Sequence, residues 1–277
     1  DDERGEFLYK WVSRDAYVEG QPTETLLVEG TLFVAKFADD MSGQWLALTP
    51  ETTGMEAAEI AIHTRMAGSK LGATTMDRPE WVAVNPVAPE AYCALTNNTR
   101  RGVKPNAGGD ETPVGGPNPR AENQYGQIVR WYPVGGDHGA ESFKWDLFVM
   151  AGNPAVHKDA YAGSPNVNEG NMFNSPDGMM FDQFGMLWIQ TDGDDSNEGD
   201  FAGQGNNQML VGDPVTGRIE RFLTGPKDSE ITGFTVSSDR STIFVGIQHP
   251  GGSWPEAGGL PRSALIAIRR DDGAVIA

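Results

Sequence analysis

The 277-residue chain holds one cysteine, Cys93, so it has neither an intrachain disulfide nor a Cys-rich zinc site. Its four histidines stand at 63, 138, 157 and 249, too scattered to form an HExxH zinc helix. There is no GxSxG elbow and no P-loop. A GxGxxG fingerprint is missing too, since Gly203-Gln204-Gly205 supplies only its first half and sits among strand patterns. Basic residues are scarce: 21 Lys and Arg face 39 Asp and Glu, a formal charge of -18. Such a surface repels nucleic acid and anionic lipid. It repels phosphate as well, so any phosphate-handling site needs metal ions or a local arginine, and bound calcium would offset part of the charge. No apolar run is long enough to span a bilayer, and no stretch reads as a signal peptide. The chain opens with Asp1-Asp2-Glu3-Arg4 and passes straight into a strand pattern, as expected of a segment cut from a longer protein.

What is plentiful points to β structure. Gly 35 and Pro 18 suit many short strands joined by tight turns, and 38% hydrophobic residues suffice for a core. Strand-like runs rich in Val, Ile, Leu, Trp and Phe recur at 7–12, 32–37, 45–48, 81–85, 92–96, 127–132, 146–151, 186–191, 208–213, 219–223, 243–247 and 264–268. One interval departs from this pattern. Over 54–72, Ala57, Ile60, Ala61, Thr64 and Ala67 fall at helical spacing, which predicts one helix carried between strands. A weak internal echo pairs Ser175-Pro176-Asp177-Gly178 with Ser238-Asp239-Arg240-Ser241, each read as a turn ahead of a strand. Irregular spacing of this kind predicts an all-β fold, a β-propeller or partial propeller with one inserted helix, as a single domain over 1–277. A β-sandwich rarely needs a loop as long as 97–123. That loop reads as a solvated linker, although its Asn, Asp and Glu near strand ends leave a ligand-facing role open.

Three places hold side chains suited to chemistry. In Met76-Asp77-Arg78-Pro79-Glu80-Trp81, Arg78 and Glu80 are two apart, so on an extended segment they share one side. Arginine offers paired planar donors to a phosphate oxygen, and glutamate holds a hard cation. An ordinary surface ion pair has the same local pattern. Asp177 and Asp192 flank the run 186–191, and hard oxygen donors at such turns suit calcium. The stretch is not an EF-hand, since the sixth position from Asp192 is Asn197 and the twelfth Gly203. Asp194, Asp195 and Asp200 read as turn residues, which favour Asp and Gly for local reasons. His249 has the chemistry to bind a metal or move a proton, but a lone histidine before Pro250 is more often a turn residue.

Taken in order, these segments resemble a known family. They are Asp77-Arg78-Pro79-Glu80-Trp81, Leu95-Thr96-Asn97-Asn98, Glu122-Asn123-Gln124-Tyr125-Gly126, Trp145-Asp146-Leu147-Phe148-Val149, Ser175-Pro176-Asp177-Gly178, Leu187-Trp188-Ile189-Gln190-Thr191-Asp192-Gly193, Gly205-Asn206-Asn207-Gln208 and Ile247-Gln248-His249-Pro250-Gly251. The set is similar to the C-terminal part of the PhoX family of secreted bacterial alkaline phosphatases. The resemblance implies a propeller with a cluster of ferric iron and calcium, hydrolysis of phosphate monoesters, and export by the twin-arginine route to the periplasm or beyond. It makes Arg78 the phosphate-contacting catalytic arginine and Glu80 a calcium ligand, with Asp177 and Asp192 as further calcium-side residues. It assigns no role to Glu122, Asn174, Glu230 or His249. The family's iron-binding cysteine falls outside this chain, and Cys93 reads as a small core residue. The isolated chain is therefore expected to be inactive. A calcium-dependent propeller lactonase and a non-catalytic binding propeller are the competing readings. The oligomeric state is not legible.

Overall fold

The computed structural model describes residues 2–277, which divide into two compact units. The first comprises Asp1–Pro79, Arg100–Glu122 and Trp131–Asp146, and the second Glu80–Thr99, Asn123–Arg130 and Leu147–Ala277.

In the first unit, β1 (Tyr9–Ser13), β2 (Gly30–Phe37) and β3 (Ser42–Ala47) form an antiparallel meander in the register Tyr9↔Val34 and Phe33↔Ala47. Strand β3 continues onto the start of a later strand through Gly43↔Phe143. Gly43 is required there, because a Cβ would lie 2.1 Å from the Phe143 ring. Phe37, Trp45, Trp131 and Phe143 pack edge-on or tilted at 5.1–6.1 Å around that contact. The single helix expected over 54–72 is instead a broken run. A short α1 (Pro50–Thr53) precedes the interval, which itself holds α2 (Ala57–Ile62) and α3 (Thr64–Lys70). The break falls at His63, whose ψ of 46° is not helical, and Thr64 Oγ1 bonds back to the Ile60 carbonyl at 3.0 Å. Ile60 and Ala67 still face the core formed by Phe7, Val34, Leu48 and Met55, as the spacing requires.

Most of the long loop is exposed where it belongs to this unit, as expected of a solvated linker, but buried side chains pin it at several points. Arg101 is 0% exposed. Its guanidinium donates to Asp77 Oδ1 (2.6 Å), Thr75 O (2.9 Å), Thr75 Oγ1 (3.1 Å) and Pro113 O (3.3 Å). Asn118 Oδ1 accepts the Asp77 N–H at 3.0 Å, and its Nδ2 donates to Thr75 O at 3.0 Å. The segment leading to Arg78 is thus gripped at backbone and side chain.

Strands β4 (Pro79–Val84), β5 (Ala91–Leu95), β6 (Gln127–Pro133) and β7 (Ser142–Met150) are ordered β7-β6-β5-β4, and the second unit holds β4 from Glu80, all of β5, β6 up to Arg130 and β7 from Leu147. Next come four strands in an antiparallel meander: β8 (Pro176–Phe181), β9 (Leu187–Thr191), β10 (Gln208–Gly212) and β11 (Ile219–Thr224). A three-stranded meander follows with β12 (Glu230–Val236), β13 (Thr242–Gln248) and β14 (Ala264–Arg269). Such sheets are the unit from which propellers are built. β5 and β9 are buried along their whole length, which is why they read as continuous apolar runs rather than alternating ones.

Two strands were not anticipated. Ser175–Gly178 was expected as a turn ahead of a strand, but Pro176–Phe181 is itself β8, with a register shift between Pro176 and Met179. β12 likewise shifts between Thr232 and Phe234, around Gly233 at φ 53°. Each bulge interrupts the period-two pattern by which a strand is recognised. No helix among the described residues is long and apolar enough to cross a membrane.

The Arg101–Asp77 pair is buried on both sides. Removing one member of such a pair leaves the other charge desolvated, at a cost of about 3–5 kcal/mol. Arg101→Met is therefore expected to lower the free energy of unfolding by that amount in equilibrium denaturation, whereas Arg14→Met, in an exposed pair, changes it by less than about 1 kcal/mol.

Candidate metal centre

Acidic side chains meet at one end of the second unit's sheets. Pro176 pairs with Thr191 across β8 and β9, so Asp177, in the bulge, and Asp192, just past β9, emerge from the same end of adjacent strands. The Asp192 N–H donates to Ser175 O at 3.1 Å and holds the two segments together. Ser175 itself adopts φ 49°, turning the chain into β8. Glu230 opens β12 opposite Gln248, whose Nε2 donates to Glu230 Oε2 at 2.5 Å. One carboxylate oxygen each from Asp177, Asp192 and Glu230 lies within 4.8 Å of the others. Asp177 and Glu230 are half-buried and Asp192 is exposed.

The charges act on one another. Burial, then the Asp192 charge, pushes the Glu230 carboxyl above its ordinary value, and the Glu80 charge adds to this. The Gln248 hydrogen bond and His249 pull it down. Glu80, second residue of β4, therefore belongs to the same electrostatic neighbourhood without being one of the three converging carboxylates. Three hard oxygens at this spacing, from half-buried and exposed carboxylates, are the donor set that suits calcium and not a soft metal.

The sequence reading paired Asp177 with Asp192, and the structure brings them together. It left Glu230 without a role, yet Glu230 completes the group. The only signal for it was an acidic residue heading a segment that ends in Gly233. His249 occupies the turn after β13 at φ 52°, its N–H on Ser263 Oγ at 3.2 Å. Asp194, Asp195 and Asp200 stand outside the group. Asp200 instead receives Gln124 Nε2 at 2.8 Å and lies 3.3 Å from His157 Nε2.

Arg78 belongs to the first unit, and its φ of 50° interrupts the extended alternation expected to carry it onto the side of Glu80. Its Nε and Nη2 donate to the two oxygens of Asp2 at 2.6 and 2.7 Å, a paired grip on a carboxylate. Cys93 lies wholly buried in β5, and burial pushes its thiol up to about 12.

Meander sheets with carboxylates converging at their strand ends define a propeller-like fold with a candidate cation site. Comparison with known proteins narrows this: the family described as alkaline phosphatase PhoX matches residues 1–251, and the chain belongs to that family. The structure of Pseudomonas fluorescens PhoX in complex with vanadate, a transition-state analogue, is 50% identical with a TM-score of 0.93. It covers 100% of this chain and 51% of that one, so the chain spans about half the length of that protein. A gluconolactonase from Xanthomonas campestris aligns at 14% identity and a TM-score of 0.31, over 71% of this chain and 59% of that one, a likeness from which nothing is argued. No curated protein matches the chain.

A thiol as buried as Cys93 is expected to resist an aromatic disulfide reagent at pH 8 in the folded protein and to react within minutes in denaturant. Rapid labelling without denaturant would contradict its burial.

Proposed function

We propose that this chain supplies the calcium and phosphate contacts of a PhoX-type phosphatase that hydrolyses phosphate monoesters. The observation that carries the reading is the convergence of Asp177, Asp192 and Glu230 in a chain belonging to that family. These three residues would hold calcium, with Glu80 contributing charge beside Glu230. Calcium, when bound, supplies positive field to phosphoryl oxygens and to a reacting water. Iron is the other metal that goes with the family reading; the one cysteine is a buried thiol and is not assigned to it.

Phosphoryl transfer depends mainly on positioning and charge stabilisation. Arg78 is the residue we assign to the substrate, its guanidinium clamping a non-bridging oxygen. Two features support that role. Its fork already takes the two oxygens of a carboxylate in Asp2, the geometry an oxyanion needs. Its backbone turn is anchored from Asp77, which Arg101 and Asn118 hold. With a net charge of -18, a phosphate ester needs such local positive groups to approach at all. Action in the periplasm or outside the cell goes with the family reading. Donors absent from this chain make the isolated chain inactive while leaving its calcium site in place.

Two measurements on the intact protein test this. Arg78→Ala is expected to lower turnover of an aryl phosphate by about a hundredfold or more, as loss of one charge-stabilising donor does elsewhere; near-wild-type turnover removes Arg78 from the mechanism. A calcium chelator is expected to abolish activity, and added calcium to restore it. Activity that survives chelation, or a lactone hydrolysed faster than the phosphate ester, overturns the assignment.

A further inference from the structure

Two buried carboxamides embrace the turn that carries Asp192. Asn207 Oδ1 accepts the Gly193 N–H at 2.7 Å and the Thr191 hydroxyl at 2.8 Å. Its Nδ2 donates to the carbonyls of Gly193 and Ser229, both at 3.0 Å. Asn174 does the same one residue along. Its Oδ1 accepts the Asp194 N–H and the Ser175 hydroxyl, both at 3.0 Å, and its Nδ2 donates to Asp194 O at 3.1 Å and Gln204 Oε1 at 2.7 Å. Consecutive residues 193 and 194 are thus each gripped through both N–H and C=O, as a neighbouring strand would grip them, but by side chains. A carboxamide has two acceptor sites and two donor hydrogens, and in both residues all four are used.

These bonds reach every segment of the acidic group. Asn174 adjoins Ser175, whose carbonyl receives the Asp192 N–H, two residues before Asp177. Asn207 holds Thr191 and Gly193 on either side of Asp192, and Ser229 next to Glu230. The fit is close enough to dictate the residue between them: a Cβ on Gly193 would stand 1.7 Å from Asn174 Oδ1. The clamp acts on backbone and hydroxyl atoms and adds no charge, whereas aspartate at either position would lose both donors and bring another negative charge beside three that already repel.

Resting on the calcium reading above, we infer that Asn174 and Asn207 are positioning residues that hold the Asp177, Asp192 and Glu230 segments in their binding arrangement before the cation arrives. Outer partners that orient metal ligands typically account for about tenfold to a hundredfold in affinity. The test is calcium titration by calorimetry of the intact, chelator-stripped protein, at a temperature where circular dichroism shows each variant folded. Asn207→Ala and Asn174→Ala are expected to weaken calcium binding by about tenfold to a hundredfold. Thr191→Val, which removes one hydroxyl from the clamp at nearly constant volume, should weaken it less, and Thr191→Ser should keep wild-type affinity. Asp192→Asn is the reference. If it leaves calcium affinity unchanged, the cation site itself is wrong. If it abolishes binding while both alanine variants and Thr191→Val bind as wild type, the site stands and the clamp is overturned, its amides then serving stability alone. Should the alanine variants fail to fold, the Thr191 pair decides, with equal affinities for valine and serine contradicting the inference.

Discussion

Like-charge repulsion among three carboxylates is the constraint around which the second unit's strand ends are organised. Unit charges about 5 Å apart at an effective dielectric of about 20 repel by about 3 kcal/mol, less where Asp192 meets water. The upward push on Glu230 from burial and from Asp192 expresses that cost within the molecule. Charges are held so close only if other bonds hold the segments or a cation offsets them. Here the segments are held: Pro176 pairs with Thr191, Asp192 leans on Ser175, Gln248 bonds Glu230, and two asparagines grip the turn between. A hard divalent cation is the species these oxygens suit.

A chain of charge -18 cannot attract an anionic substrate by its general field. Its positive groups must be local and held in place. Arg78 is the group proposed for that need, and the buried Arg101–Asp77 pair and the Asn118 bonds tie the residues before it down. Burying an ion pair completely is poor value for stability. Its position, one residue ahead of Arg78, gives it a use in aiming a guanidinium. Asp2 fills the Arg78 fork with both its carboxylate oxygens, a paired contact of the kind guanidinium makes to oxyanions.

Much of the β architecture was legible because buried strands leave unbroken apolar runs, as in β5 and β9, and because glycine and proline punctuate them. The two strands that escaped notice, β8 and β12, contain bulges, and each carries a member of the acidic group. Asp177 sits in one, and Glu230 heads the other strand. Asp177, expected in a turn over Ser175–Gly178, lies in β8 instead. Glu230 was invisible as a ligand because its partners lie far away in sequence, joined to it only by sheet pairing. The helix over 54–72 broke at His63 because a threonine hydroxyl competes for the Ile60 carbonyl, a local contest that periodicity does not register. Asn174 and Asn207 were unremarkable in a chain rich in asparagine, since only the fold shows that each amide meets both backbone groups of one residue.

The account stands or falls on where a cation binds. Crystals of the intact protein, stripped with chelator and soaked in terbium as a calcium substitute, would give an anomalous peak at each bound ion. The account predicts a strong peak within coordinating distance of the Asp177, Asp192 and Glu230 carboxylates, and its loss in Asp192→Asn. Ordered, fully occupied terbium elsewhere, with no density between those three side chains, would contradict it.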